Sequence, residues 1–65
     1  MIEVTQEVYE GLEAVRESGE TNMFHLRYVQ YLAGAMDYHE TVAWIEDNRK
    51  LYMQGVSKGF KVKDE

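Results

Sequence analysis

Apolar side chains recur early in the chain at Val4, Val8, Leu12 and Val15, the three- to four-residue spacing of one helical stripe. The spacing predicts a helix over about residues 5–18. Thr5 stands where an N-cap belongs, and Glu7 falls in the first turn, where the helix dipole favours an anion. Gly19 follows as the stop. Gly11 lies inside this helix, where glycine costs about 0.5–1 kcal/mol relative to alanine. Either a second helix comes close there, or the cost is simply tolerated.

A second helix is predicted over about residues 23–36, capped by Thr21 or Asn22. Its apolar residues run nearly all the way round. Phe24, Tyr28, Tyr31 and Ala35 share one side, Leu26, Val29, Ala33 and Met36 the other, with Leu32 between. Arg27, Gln30 and Gly34 leave only a narrow polar or bare strip. A helix of this kind is normally buried.

Asp37-Tyr38-His39 makes the next connection, and a third helix is predicted over about residues 40–54. Val42, Ile45, Tyr52, Met53 and Val56 fall on one face, and Trp44 and Leu51 on nearly the opposite one. Gly55 and Gly59 are candidate ends. The tail, residues 58–65, alternates Phe60 and Val62 with Lys61 and Lys63. That alternation would suit a short strand, but a frayed tail is the expectation.

The fold class expected is therefore all-α, one three-helix domain over residues 1–65. A chain this short buries only about 60% of the surface its unfolded form exposes. It has no cysteine, which removes disulfides and thiolate zinc sites as sources of stability. Packing and self-association remain. The first and third helices cannot cover both sides of the second and also Trp44 with Leu51. The patch left over exceeds the few hundred square ångströms usual for a soluble monomer. A homo-oligomer is expected, a dimer in the first instance, with Leu26, Val29, Ala33 and Met36 as its interface.

Charge narrows the function. Twelve Asp and Glu against seven Lys and Arg give a net charge of −5, which disfavours nucleic acid as a partner. No apolar run reaches the roughly 18–20 residues of a membrane span, and Met1-Ile2-Glu3-Val4 has no signal-peptide character. A cytoplasmic protein without a membrane partner is expected. His25 and His39 each lack a second ligand at helical spacing, and Ser18 and Ser57 lie in no nucleophile turn. No catalytic residue, metal or cofactor is expected, and the chain reads as a non-enzyme.

Two features read as partner-binding. Glu3, Glu7, Glu10, Glu13, Glu17 and Glu20 recur every three or four residues opposite the first apolar stripe, with only Arg16 nearby to relieve them. This ridge is either a solvated face or a surface for a basic partner. Trp44 with Leu51 is the second feature, because Trp is enriched at binding hot spots.

Ser18-Gly19-Glu20-Thr21-Asn22-Met23-Phe24, then Val29 and Ala33, then Glu40-Thr41-Val42, Ile45 and Tyr52, resemble a family of very short proteins. That family occurs in bacteriophages and prophages of Gram-positive bacteria and is catalogued as a domain of unknown function. The resemblance spans about Thr5 to Gly59. His25 stands where the family commonly carries an acid. It implies a phage origin and no known enzyme activity, and very small phage proteins often inhibit host machinery. The expected function is a stoichiometric inhibitor of a host protein, such as an antiviral defence component, in the cytoplasm of the infected cell. The alternatives are a helix–turn–helix DNA-binding regulator and a structural accessory of the phage. In the former, Arg49 and Lys50 of the reading helix face Glu40, Glu46 and Asp47.

Overall fold

Three expected helices become four, and the two ends of the chain pair as a sheet. The computed structural model describes residues 1–63. The order is β1 (Ile2–Val4), α1 (Gln6–Ser18), α2 (Leu26–Ala35), α3 (His39–Asp47), α4 (Arg49–Lys58) and β2 (Phe60–Val62).

α1 keeps its predicted limits because its caps form. Thr5 is extended and its Oγ1 accepts the Val8 N–H at 3.2 Å. Gly19 is left-handed at φ 68°, and its N–H closes onto the Arg16 carbonyl. Val8, Gly11, Leu12 and Val15 are the buried face.

α2 starts three residues later than the pattern predicts. Asn22 caps a preceding turn instead, its Oδ1 accepting the Phe24 N–H at 2.8 Å. α2 ends in a Schellman turn: the Tyr38 N–H reaches the Ala33 carbonyl at 2.8 Å and the Asp37 N–H reaches Gly34 at 3.0 Å. Asp37 takes the left-handed position usually held by glycine, at φ 70°.

The predicted third helix breaks at Asn48, which has φ −138° and ψ 47°. The Asn48 side chain donates to the Trp44 carbonyl at 3.0 Å, while its own carbonyl accepts the Tyr52 N–H. One residue thus closes α3 and opens α4. Gly55 sits inside α4, and Gly59, at φ 95°, ends it.

The frayed tail is also corrected as far as Lys63; residues 64–65 lie outside the described ones. β1 and β2 run parallel, with Ile2 opposite Phe60, Glu3 opposite Lys61 and Val4 opposite Val62. The Ile2 N–H donates to Gly59 and the Lys63 N–H to Val4. The alternating pattern is what a strand covered on one face requires. Phe60 turns inward against Tyr52 and Trp44, at ring separations of 5.8 and 6.1 Å. Lys61 turns outward, 3.5 Å from Glu3.

The core joins Val4, Val8, Leu12 and Val15 to Val29, Leu32 and Ala33 of α2 and to Ile45 and Tyr52. Val29 and Ala33 are fully buried within one chain, and Leu26 and Met36 pack against the same core. The face expected to meet another copy is therefore the inner face of α2, and its opposite side is left outside. Gln30 ties α2 to α3, donating from Nε2 to the Val42 carbonyl and to Glu46 Oε1. Among the described residues no helix is long and apolar enough to cross a membrane.

Candidate protein-binding surfaces

The acidic ridge survives folding in altered form. Glu7, Glu10 and Glu17 are exposed on α1. Glu10 accepts from Gln6 Nε2 at 2.9 Å, and Glu13, half-buried, pairs with Arg16. Glu3 leaves the ridge, because it lies in β1 and pairs with Lys61. Glu20 lies beyond α1, its N–H donating to Ser18 Oγ.

Two acids join that the linear pattern did not include. The crossing of α1 and α3 brings Glu40 against Glu7, and the left-handed turn before α3 presents Asp37. Glu7, Glu10, Asp37 and Glu40 line one open cleft of about 390 Å³. Hydrogen bonding to Glu40, reinforced by its charge, raises the Glu7 carboxyl above its ordinary value. His39 also lines the cleft, with Nε2 3.5 Å from Asp37 Oδ1. The signal that could have found Glu40 and Asp37 was Gly11, whose missing side chain marks where α3 approaches α1.

Trp44 and Leu51 do not form one patch on a continuous helix, because Asn48 interrupts their spacing. Trp44 is half-buried, edge-on to Phe60 at an interplanar angle of 80°. Leu51 is exposed on α4. A second apolar surface is the outer side of α2, where exposed Tyr28 and Tyr31 stack at 5.7 Å and 15°; Ala35 is exposed at the end of the helix, and Phe24 is exposed in the turn before it.

Of the two histidines, His25 precedes α2 and His39 opens α3, and both are exposed. Among the described residues no three His, Asp or Glu side chains gather as a metal-holding group. α3 carries no Lys or Arg.

No curated protein and no solved structure matches the chain. A family model described as Domain of unknown function (DUF5049) matches residues 4–59, from the last residue of β1 to the glycine that ends α4. The Ser18–Phe24 string, the α1–α3 crossing and the outer face of α2 all fall inside that span, and the chain belongs to this DUF5049 family.

Proposed function

We propose that this chain acts by binding another protein one-to-one, as an inhibitor that seats its acidic surface on a basic surface of a host protein. A phage setting, with an antiviral defence component as the target, is the context that the family resemblance favours. The observation that carries the reading is the gathering of Glu7, Glu10, Asp37 and Glu40 around one open cleft. Carboxylates so placed repel one another, and the nearness of Glu40 raises the Glu7 carboxyl. His39 and the Glu13-paired Arg16 supply little relief. A cationic partner would supply it and would be steered to the surface by charge.

A basic patch that normally grips nucleic acid has the matching chemistry. DNA reading by α3 is disfavoured on the same grounds: its exposed charges are Glu40, Glu46 and Asp47, which repel phosphate.

The test is capture from host lysate by the unmodified protein and by a variant with Glu7, Glu10 and Glu40 all changed to Gln. A partner held at low salt, released at high salt and lost by the variant supports the reading. Equal capture by both proteins would reduce the acids to a solvating face.

A further inference from the structure

We infer that the open edge of β2 is a docking edge for an extended segment of a partner protein, one that sets an acidic side chain opposite Lys61 between two apolar ones. The inference goes beyond the proposed host contact and uses a different surface of opposite charge.

The backbone decides what kind of chain fits. The Ile2 N–H donates to Gly59 and the Lys63 N–H to Val4 across the parallel ladder. In such a ladder alternate residues turn their N–H and C=O to the neighbouring strand, and the others turn theirs away. Lys61 therefore faces β1, and Phe60 and Val62 face outward. Among the described residues neither Phe60 nor Val62 forms a backbone hydrogen bond outside the ladder. Two N–H and two C=O groups thus stand in a row, at the spacing that a third strand satisfies. The outer edge of β1 offers less, because only Glu3 turns its backbone outward there.

A cleft lies along the same edge. Tyr9, Leu12 and Arg16 of α1 face Val56, Gly59 and Phe60 across a space of about 290 Å³. No residue of β1 lines it, so it adjoins β2 on the flank that β1 leaves free. Phe60 and Val62 are half-buried and Lys61 is exposed, so the sheet has one covered face and one wet face. A third strand continues both. Its residues opposite Phe60 and Val62 turn toward the helices and the cleft, and the one opposite Lys61 turns to solvent.

Charge selects that outward residue. Lys58, Lys61 and Lys63 put three of the seven Lys and Arg within six residues, in a chain of net charge −5. Lys61 has Glu3 at 3.5 Å on its β1 side. An acid on a third strand flanks it from the other side, a favourable cross-strand pair. A second copy fits worse. Two β2 strands paired about a two-fold axis at Lys61 set Lys61 against Lys61, and like charges directly opposed are destabilising.

The probe is a short capped peptide of alternating valine and glutamate, added at up to about 1 mM. Binding should slow amide exchange at Phe60 and Val62 and leave Glu3 unchanged. A peptide of alternating valine and lysine should bind more weakly, and added salt should narrow the difference. Equal binding of the two peptides, or protection of Glu3 instead, would overturn the inference. So would failure of both peptides to bind. If the protein alone then doubles in mass with Phe60 and Val62 protected, the edge belongs to a second copy.

Two variants separate backbone from charge. Val62→Pro removes one outward N–H and no bond to β1. It should keep its far-ultraviolet circular dichroism spectrum and bind the valine–glutamate peptide about two- to tenfold more weakly. Lys61→Glu keeps every backbone donor and should prefer the valine–lysine peptide, which tests the edge even if the proline variant does not fold. Undiminished binding by a folded Val62→Pro, or an unchanged preference in Lys61→Glu, would each overturn the inference.

Discussion

Gly11 of α1 and Thr41 of α3 touch where the two helices cross, so closely that a Cβ added to Gly11 would stand 2.0 Å from Thr41 Oγ1. The Thr41 hydroxyl, fully buried, donates to the Val8 carbonyl at 3.3 Å and lies 3.5 Å from that of Glu7. Close approach lets a side-chain hydroxyl reach the backbone of the neighbouring helix. The same approach brings Glu40 against Glu7.

Gly11→Ala sets two effects against each other. Alanine improves the helix by about 0.5–1 kcal/mol. Overpacking a tight crossing costs about 1–3 kcal/mol, and here both Thr41 Cβ and Tyr38 Cβ also lie within 3.0 Å of the added atom. The expected outcome is net destabilisation, read as a lower urea midpoint, with partial recovery when Thr41→Ala is added. A midpoint that stays put or rises would show that the helices separate at little cost.

Gly55 poses the same problem for β2, with a softer neighbour. A Cβ there would lie 2.2 Å from Phe60 Cε1, the far end of an aromatic ring. The ring can swing away, but it then loses Tyr52 and the edge contact with Trp44. Gly55→Ala should destabilise by about 1–3 kcal/mol and shift the fluorescence of the single tryptophan to the red. Unchanged emission would mean that Phe60 keeps its seat.

What the sequence made legible was what local chemistry decides. α1 was readable to within a residue because Thr5 and Gly19 are strong caps on either side of a regular stripe. The break at Asn48 was not, because neither proline nor glycine marks it. What ends α3 there is an Asn side chain bonded to the Trp44 carbonyl. Pairing of β1 with β2 joins opposite ends of the chain, and three-residue strands carry too little pattern to announce a distant partner. The two apolar sides of α2 were visible, but which side faces inward was not. That choice depends on how Val29 and Ala33 fit against α1 and α3. Of the acidic surface, Glu7, Glu10, Glu13 and Glu17 were readable from their spacing, whereas Asp37 and Glu40 entered only through the crossing at Gly11.

Tyr52 yields an alkaline prediction. Its ring is fully buried and its hydroxyl donates to the Met23 carbonyl, tying α4 to the turn before α2. Burial pushes the phenol up to about 12. A phenol harder to ionise when folded contributes stability that is whole below its ordinary value of about 10. That contribution is lost as pH rises from there toward about 12. Tyr52→Phe should cost about 0.5–1.5 kcal/mol at neutral pH through the lost hydrogen bond. The variant should then lose less stability than the unmodified chain between about pH 9 and 11. Parallel loss in denaturant titrations of both proteins would place the alkaline sensitivity elsewhere.

The acidic surface makes the last prediction, with the opposite pH dependence from an ordinary ion pair. The Glu7 carboxyl is raised first by its hydrogen bond with Glu40 and then by that group's charge. A raised carboxyl means the folded chain holds the proton more tightly than the unfolded one. Its contribution is therefore favourable below the ordinary carboxylate range and is lost as pH rises through the raised value. Above that raised value Glu7 carries its charge against Glu40, and the repulsion between them is felt. Glu46 runs the other way: Gln30 first, then Arg49, hold it below its ordinary value. Its contribution is present at neutral pH and lost on acidification. Glu7→Gln should accordingly raise the melting temperature at pH 7, and the gain should shrink toward zero near pH 4. Glu17→Gln removes the same charge from the same helix without touching Glu40, and so separates this contact from the general repulsion of an acidic chain. If the two substitutions give equal gains at both pH values, the pairing of Glu7 with Glu40 has no special part in the surface.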